Sequence, residues 1–305
     1  MSRVLVTGAN GFIGSHLCPA LEVAGHQVTK ASRTTLGDIG PDTNWRPMLD
    51  GIDTIIHLAA RAHIMSDSAT DSEAEYMRIN RDGTASLAAQ AADRGVRRMV
   101  LMSSIKVNGE RTTGTPFTET AAPAPEDAYG RSKLAAETQL FEIAARSALT
   151  AVVIRTPLVY GPGVKGNFLK LLGLCRRRLP LPLGRVKNAR SLIYVENLVS
   201  GLIIAMQPPA AGQVYFLDDG IAASVAELIR QIGNALGQPA RLMPIPIALL
   251  RLAGALAGKR KIIGRLTDSL VIDSAKIRRD LGWQPPYNMG QGLEATARWF
   301  NTKKS

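Results

Sequence analysis

Tyr129-Gly130-Arg131-Ser132-Lys133 is the stretch with the clearest capacity for chemistry. It opens a helix-like run over 130–147, and residues four apart share a helical face, so Tyr129 and Lys133 point the same way. A phenol titrates near 10 and is a poor base at neutral pH. An ammonium one turn away favours the phenolate and lowers that value, as would a cationic ring bound nearby. Such a tyrosine can remove or donate a proton at a hydroxyl or carbonyl oxygen. Ser103-Ser104, closing the apolar run Met99-Val100-Leu101-Met102, offers a hydroxyl to hold the same oxygen. Tyr-x-x-x-Lys alone recurs by chance; its weight comes from the serines and from a second signal, in the right order along the chain.

That signal is Thr7-Gly8-Ala9-Asn10-Gly11-Phe12-Ile13-Gly14, which follows Val4-Leu5-Val6 and opens an amphipathic run over 12–24. Strand, glycine turn and helix form the context of a dinucleotide-binding turn. Gly8 and Gly11 permit a tight turn against a pyrophosphate, and Gly14 permits close packing of helix on strand. The helix N-terminus presents free N–H donors to the phosphates. The glycine spacing is three and three, not two and three, and an ordinary strand–helix turn is the plain alternative. The next strand, 27–31, ends in Ser32-Arg33-Thr34 with no carboxylate. An acidic residue there suits the free ribose of NAD, whereas an arginine fork suits the 2′-phosphate of NADP. Arg33 therefore favours NADP(H), with NAD(H) possible and a plain surface arginine the bland reading. Asp38-Ile39 is placed to frame the adenine.

The elements needed to position these groups are legible as alternation. Strand-like runs at 4–7, 27–31, 54–59, 99–103 and 151–155 alternate with helical runs at 12–24, 72–94 and 130–147. Apolar strands with little alternation indicate a parallel sheet covered on both faces, reached by right-handed crossovers. The expected fold is α/β: a Rossmann-type doubly wound parallel sheet with a smaller C-terminal substrate-binding lobe. The expected division is 1–156 for the NAD(P)-binding domain and 157–305 for the lobe, with some return to the first domain. In the lobe, helical runs at 167–178, 196–206, 224–236, 246–257 and 290–301 surround short strand candidates at 191–195, 213–217 and 269–273. The tail 301–305 reads as frayed.

Composition narrows the class. With 305 residues, 46% apolar and 20% charged, the chain can bury a sizeable core, and no run approaches a membrane span. Cys18 and Cys175 are too far apart for a metal or disulfide framework, and with no leader segment expected the location expected is the cytoplasm. His16, His26, His57 and His63 match no metal-ligand spacing, so no metal is expected. The net charge of +12 is dispersed without aromatic interleaving, which argues against nucleic acid and leaves a solvated basic surface or an anionic partner. Residues 247–257, followed by Gly258-Lys259-Arg260-Lys261, resemble an amphipathic membrane-surface segment; the favoured reading is a packed helix with a basic end and no stable membrane insertion. Arg176-Arg177-Arg178 reads as a helix end.

Taken together these motifs resemble the extended short-chain dehydrogenase/reductases of the NAD(P)-dependent nucleotide-sugar epimerase/dehydratase type. His57-Leu58-Ala59-Ala60, Asn80-Arg81-Asp82-Gly83-Thr84, Tyr160-Gly161-Pro162-Gly163, the stretch 190–197 and Leu281-Gly282-Trp283-Gln284-Pro285 extend the match along nearly the whole chain. The resemblance implies Ser104, Tyr129 and Lys133 as the catalytic set. With Arg33, Asp38 and Ile39 from the reading of the second strand's end, the expected cofactor site is Gly8, Gly11, Phe12, Ile13, Gly14, Arg33, Asp38, Ile39, Leu58, Ala59, Ala60, Asn80, Ser103, Tyr129, Lys133 and Pro157, of which the resemblance implies Leu58, Ala59, Ala60, Asn80 and Pro157. It also implies substrate contacts from Ser104, Asn167, Phe168 and Arg190, the last on a nucleotide diphosphate, and a homodimer through the helices at 72–94 and 130–147. Two positions depart from the pattern. Val-Tyr-Gly after the serines reads Val107-Asn108-Gly109, and the asparagine often found before Val-Tyr-Gly-Pro-Gly is Leu158.

The resemblance leaves several activities open. Reduction of the C4 keto group of a nucleotide-linked, UDP-type sugar with NADPH, for surface polysaccharide precursors, is the favoured expectation. An NAD-dependent UDP-sugar 4-epimerase stands close behind. A dehydratase would need an acid/base pair where Ile105-Lys106 stands. A catalytically silent NADP(H)-sensing protein is the reading from another class, opposed by the intact Ser104, Tyr129 and Lys133.

Overall fold

A computed structural model describes residues 1–62 and 72–303. His63 lies outside the described residues. The chain runs β1 (Arg3–Thr7), α1 (Gly14–Val23), β2 (Gln27–Ala31), α2 (Arg33–Leu36), α3 (Arg46–Leu49), β3 (Thr54–His57), α4 (Ser72–Tyr76), a π-helical segment (Met77–Asp82), α5 (Gly83–Asp93), β4 (Arg98–Ser104), α6 (Ala128–Ala144) and β5 (Thr150–Thr156). It continues through β6 (Leu158–Tyr160), α7 (Gly166–Arg176), β7 (Leu192–Tyr194), α8 (Val195–Ile204), β8 (Gln213–Phe216) and α9 (Val225–Ala235). It closes with α10 (Ile247–Leu256), α11 (Arg260–Thr267), α12 (Ala275–Leu281) and α13 (Met289–Thr302).

Six parallel strands form one sheet in the order β2-β1-β3-β4-β5-β8. The strands are apolar on both faces because both faces are covered. Successive residues go to opposite cores: Val4, Val6 and Val100 pack with Leu17 and Leu198, while Leu5, Met99 and Leu101 pack with Leu87 and Leu140. The order reverses between β1 and β3, the switch point where open α/β sheets bind ligands beyond the strands' carboxyl ends. The doubly wound fold read from the alternation is the fold observed. A third core, around Tyr160, Phe168, Tyr194, Ile229 and Leu293, lies in the C-terminal part.

Several local readings change. The stretch near 213–217 is the sixth strand of the main sheet, and β6 and β7 form a separate two-stranded parallel pair. Residues 269–273 are not a strand. They are extended and hydrogen-bonded on two sides, by Ala189 and Ser191 on one and Thr112 and Phe117 on the other, but through single residues of loops, so no ladder forms. The 72–94 run is helical in two α segments joined by the π segment. Residues 301 and 302, expected to fray, are the last turn of α13, whose start is locked by an Asn288–Gln291 capping box. Among the described residues no helix is long and apolar enough to cross a membrane.

Candidate active site

The glycine turn is built as its composition requires. Gly8 has φ +69°, and a Cβ there would lie 3.0 Å from the backbone nitrogen of Ala59. A Cβ at Gly14 would sit 2.4 Å from the carbonyl oxygen of Gly8, so only glycine lets α1 start against the turn. Phe12 packs edge-on against His16 and sits beside Gly163, and Ile13 is packed against the sheet-side core. Beside this turn, in the crevice at the switch point, lies a cavity of about 410 Å³. Thr7, Gly8, Asn10 and Gly11 line one part; Leu58, Ala59, Ala60 and Arg61 line another; Ser32, Arg33, Thr34, Asp38 and Ile39 line its far end. Of the expected cofactor residues, the structure thus brings together the turn glycines, the β3-end trio and the β2-end group.

At that far end Arg33 Nε lies 2.9 Å from Asp38 Oδ1, both side chains largely exposed. Asp38, expected to frame adenine, is engaged by the arginine. An exposed ion pair contributes about 0–1 kcal/mol, so an anionic ligand could displace it.

Ser104 ends β4, and Tyr129 and Lys133 come from the first turns of α6. Asp127 caps that helix, its Oδ1 accepting the Gly130 N–H at 2.7 Å, which fixes where Tyr129 enters. The Tyr129 hydroxyl is hydrogen-bonded to Ser104. Burial pushes the Tyr129 phenol up to about 12, helped by the Asp127 carboxylate and Tyr76, while the Ser104 bond opposes the rise. The lowered phenol expected from the sequence is therefore corrected: enclosure of the ring sets the direction, and the phenol is protonated at neutral pH. Burial lowers Lys133 to about 8, with the Glu137 carboxylate opposing.

Asn80 sits in the π segment, a local distortion common at functional sites. Its Oδ1 accepts the Arg61 N–H at 2.8 Å, and its Nδ2 donates to the Arg61 carbonyl at 3.1 Å and to Ser132 Oγ at 2.9 Å. It braces the loop after β3 against α6.

Other expected site residues lie elsewhere. Ser103, alternating with Ser104 along β4, donates its hydroxyl to buried Glu137, away from the catalytic face. Phe168 is 2% exposed and stacked on Tyr160, a core side chain and not a cleft wall, because its helix α7 turns it inward; Asn167 beside it is exposed. Pro157 is buried after β5. Arg190 is half-buried, and its Nη1 donates to the carbonyls of Arg265 and Asp268 at the end of α11. Burial lowers its pKa, with the Asp268 carboxylate opposing.

Sequence reasoning missed a buried charged network behind the site. Glu137, one turn beyond Lys133, accepts from Arg155 at 2.5 Å and 3.0 Å as well as from Ser103. Arg155 Nη1 donates to Asn108 Oδ1 at 3.0 Å, and Asn108 donates to the Ala121 carbonyl. The departure at Val107-Asn108-Gly109 thus supports a buried guanidinium. An arginine inside the apolar run of β5 and a Lys-x-x-x-Glu spacing were the signals available. Arg61 over Tyr76, which meets Tyr129 edge-on, was also missed.

With this geometry in view, comparison with known proteins places the chain. The family model described as the NAD dependent epimerase/dehydratase family matches residues 4–217. The chain belongs to this family. It is 39% identical to a UDP-glucose 4-epimerase of Vibrio cholerae over 97% of this chain and 95% of the relative. Among solved structures it resembles MoeE5 in complex with UDP-glucose and NAD, at 27% identity and TM-score 0.80, covering 99% of this chain and all of that one. RMD from Pseudomonas aeruginosa complexed with NADPH shares the fold, at 23% identity and TM-score 0.79, over 99% of this chain and 100% of that chain. The chain is an NAD(P)-dependent enzyme of the epimerase/dehydratase family, and its glycine cradle and cavity fit such a dinucleotide.

Proposed function

We propose that the protein reduces the C4 keto group of a UDP-linked sugar, using NADPH. The observation that carries the reading is Ser104 and partly buried, protonated Tyr129 in one hydrogen bond, linked through Tyr76 and Arg61 to a glycine-floored cavity whose far end holds Ser32, Arg33 and Thr34. The N-terminus of α1 and the turn glycines would hold the pyrophosphate, Leu58, Ala59 and Ala60 the middle, and Arg33 the 2′-phosphate. The bound nicotinamide supplies hydride to C4. Ser104 holds the C4 oxygen, Tyr129 delivers its proton to that oxygen, and Lys133 keeps the phenol's surroundings positive as the proton leaves. Arg190 is the proposed diphosphate contact, with Asn167 nearby in the lobe. Ile105 is buried, and Lys106 is tied to Glu110 and Asp127, which leaves no acid/base pair suited to dehydration at that position. We further propose residues 1–156 as the cofactor-binding part and 157–305 as the substrate part, in a cytoplasmic homodimer serving polysaccharide precursor synthesis.

A second reading, UDP-sugar 4-epimerase, is favoured by the 39% relative. There the same side chains would serve C4 twice, taking a proton from the hydroxyl and then returning one to the keto sugar after it has turned over. One experiment separates the two. The purified protein is incubated with NADPH and a UDP-4-keto-6-deoxy-N-acetylhexosamine, and separately with UDP-glucose or UDP-N-acetylglucosamine without added cofactor. Stoichiometric NADPH loss in the first alone is the expected result. Equilibration of C4 epimers in the second overturns reduction, and silence in both with tight NADP(H) binding points to a sensor. Arg33→Asp should move preference from NADP(H) towards NAD(H).

A further inference from the structure

The helical hairpin of α10 and α11 carries a surface that the proposed reaction does not use. In α10 only Leu250 and Gly254 are buried. Gly254 lets the hairpin close tightly, since a Cβ there would lie 2.4 Å from Ile263. The outward side is apolar instead of polar: Leu249, Leu252 and Leu256 recur at i, i+3 and i+7, one helical face, and each is more than half exposed, Leu256 at 82%. Ile262 of α11 extends the patch. Large aliphatic side chains on one convex helix face, and not scattered singly, mark a contact surface.

The charge around this face selects the partner. No aspartate or glutamate occurs between Glu227 and Asp268, while that segment holds Arg251, Lys259, Arg260, Lys261 and Arg265 around the hairpin and Arg230 and Arg241 before it. Arg251, Lys259, Arg260 and Arg265 are exposed. At ten residues α10 spans roughly 15 Å, half a bilayer's hydrocarbon core, so it can lie on a membrane but not cross it. Arg251 pairs with Asp268 at 2.8 Å and Arg265 with Glu110 at 3.6 Å, whereas Lys259 and Arg260, at the hairpin's turn, are exposed beside the leucines. A protruding face of leucines bordered by these basic residues matches an anionic lipid surface, with aliphatic groups entering the acyl boundary and cations meeting headgroup phosphates. A peptide partner would be met by a groove, whereas this face is convex.

We propose that the α10–α11 hairpin docks the enzyme reversibly on anionic membranes. The hairpin's C-terminal carbonyls, of Arg265 and Asp268, are the ones that hold Arg190, so docking sets the proposed substrate lobe beside the bilayer.

The test is flotation of the full-length protein with vesicles of phosphatidylcholine containing 30 mol% phosphatidylglycerol, and with pure phosphatidylcholine. Binding is expected on the anionic vesicles, weak on the neutral ones, and reduced at 0.5 M salt. Lys259→Ala and Arg260→Ala should each lower the partition coefficient about fivefold. Leu252→Glu combined with Leu256→Glu should abolish binding while leaving the thermal midpoint and circular dichroism unchanged. Ile221→Glu, an exposed apolar residue elsewhere, should leave binding intact. Equal binding to both vesicle types, no binding at all, or full binding by the double leucine variant each overturns the proposal. So does a wild-type oligomer that the leucine variant dissociates, which would assign the face to a second copy of the chain.

Discussion

Tyr129 and Lys133 sit four residues apart with opposite displacements, the phenol raised to about 12 and the ammonium lowered to about 8. At pH 7 both keep their protons, the state a reductive proton transfer needs. As pH rises through about 8, Lys133 loses its charge long before Tyr129 loses its proton. The kcat/KM for reduction should therefore be level from pH 6 to 7 and fall above about 8, up to tenfold per unit; a profile flat to pH 10 would refute a role for the charged lysine. His57 makes a separate prediction. Thr84 donates its hydroxyl proton to the Asn80 carbonyl, so it accepts from His57 Nε2, and His57 Nδ1 accepts from Thr7. Every hydrogen-bonding position of the neutral ring is used, and burial, with the Lys133 charge adding, lowers its pKa to about 3. The unfolded chain binds this proton below about 6.5 and the folded one only near 3, so stability is complete above 6.5 and is lost as pH falls between those values. From pH 7 to pH 4 the stability advantage of wild type over His57→Gln should shrink by roughly 3 kcal/mol, measured by urea unfolding. An unchanged difference would mean the ring titrates normally.

At the scale of elements, the β1–α1 junction is the least tolerant point of the fold. Gly14→Ala places a methyl within 2.4 Å of a carbonyl oxygen in the turn, so α1 must shift and the phosphate cradle opens. Dinucleotide affinity should drop by about two orders of magnitude or more, a loss of ~3 kcal/mol. Gly173→Ala, in α7 with nothing near the new methyl, should instead stabilise the protein by about 0.5–1 kcal/mol. Similar effects at the two positions, by calorimetric titration and thermal melts, would refute the packing argument. These same glycines explain what was legible from the sequence. Gly8, Gly11 and Gly14 between an apolar run and a helix have one physical use, and Tyr129 with Lys133 follows from helical spacing. The rise of the Tyr129 pKa comes first from packing around the ring, including Tyr76 from a distant part of the chain, and has no local signature; the Asp127 carboxylate two residues before it adds to the rise. Phe168 could not be placed on a cleft or in a core from its neighbours alone, and its stacking partner Tyr160 lies before a Gly-Pro-Gly turn. The strand at 213–216 was visible as a strand, but its place beside β5 follows from the α8 crossover, a long-range fact.

At the scale of the whole molecule, that crossover joins the two parts of the chain in one core. A single apolar cluster contains Val4, Leu17 and Val152 together with Ile193, Leu198, Tyr215, Leu217 and Trp283. A division of the chain near residue 156 separates sequence, and we expect it to leave the core whole. Heat should therefore unfold the protein in one transition, with calorimetric and van't Hoff enthalpies in agreement. Asp219 gives the sharper test, because it lies where the chain leaves β8 for the lobe. It accepts from the Tyr160 hydroxyl at 2.9 Å, the Tyr194 N–H at 2.9 Å and Asn197 Nδ2 at 2.7 Å, joining β6, β7 and α8. Burial raises its pKa, and these bonds work against the rise. Asp219→Ala takes one shared acceptor from three buried donors; Asn197 Nδ2 keeps the Tyr287 carbonyl at 2.8 Å and the Tyr160 hydroxyl the Met289 carbonyl at 3.4 Å, and the loss should cost about 3 kcal/mol. If the cores are one cooperative unit, the midpoint drops by on the order of 5 °C and the transition stays single. If the lobe is held only as an appendage, the variant's transition divides, with the β6–β7 region melting first and the sheet keeping the wild-type midpoint.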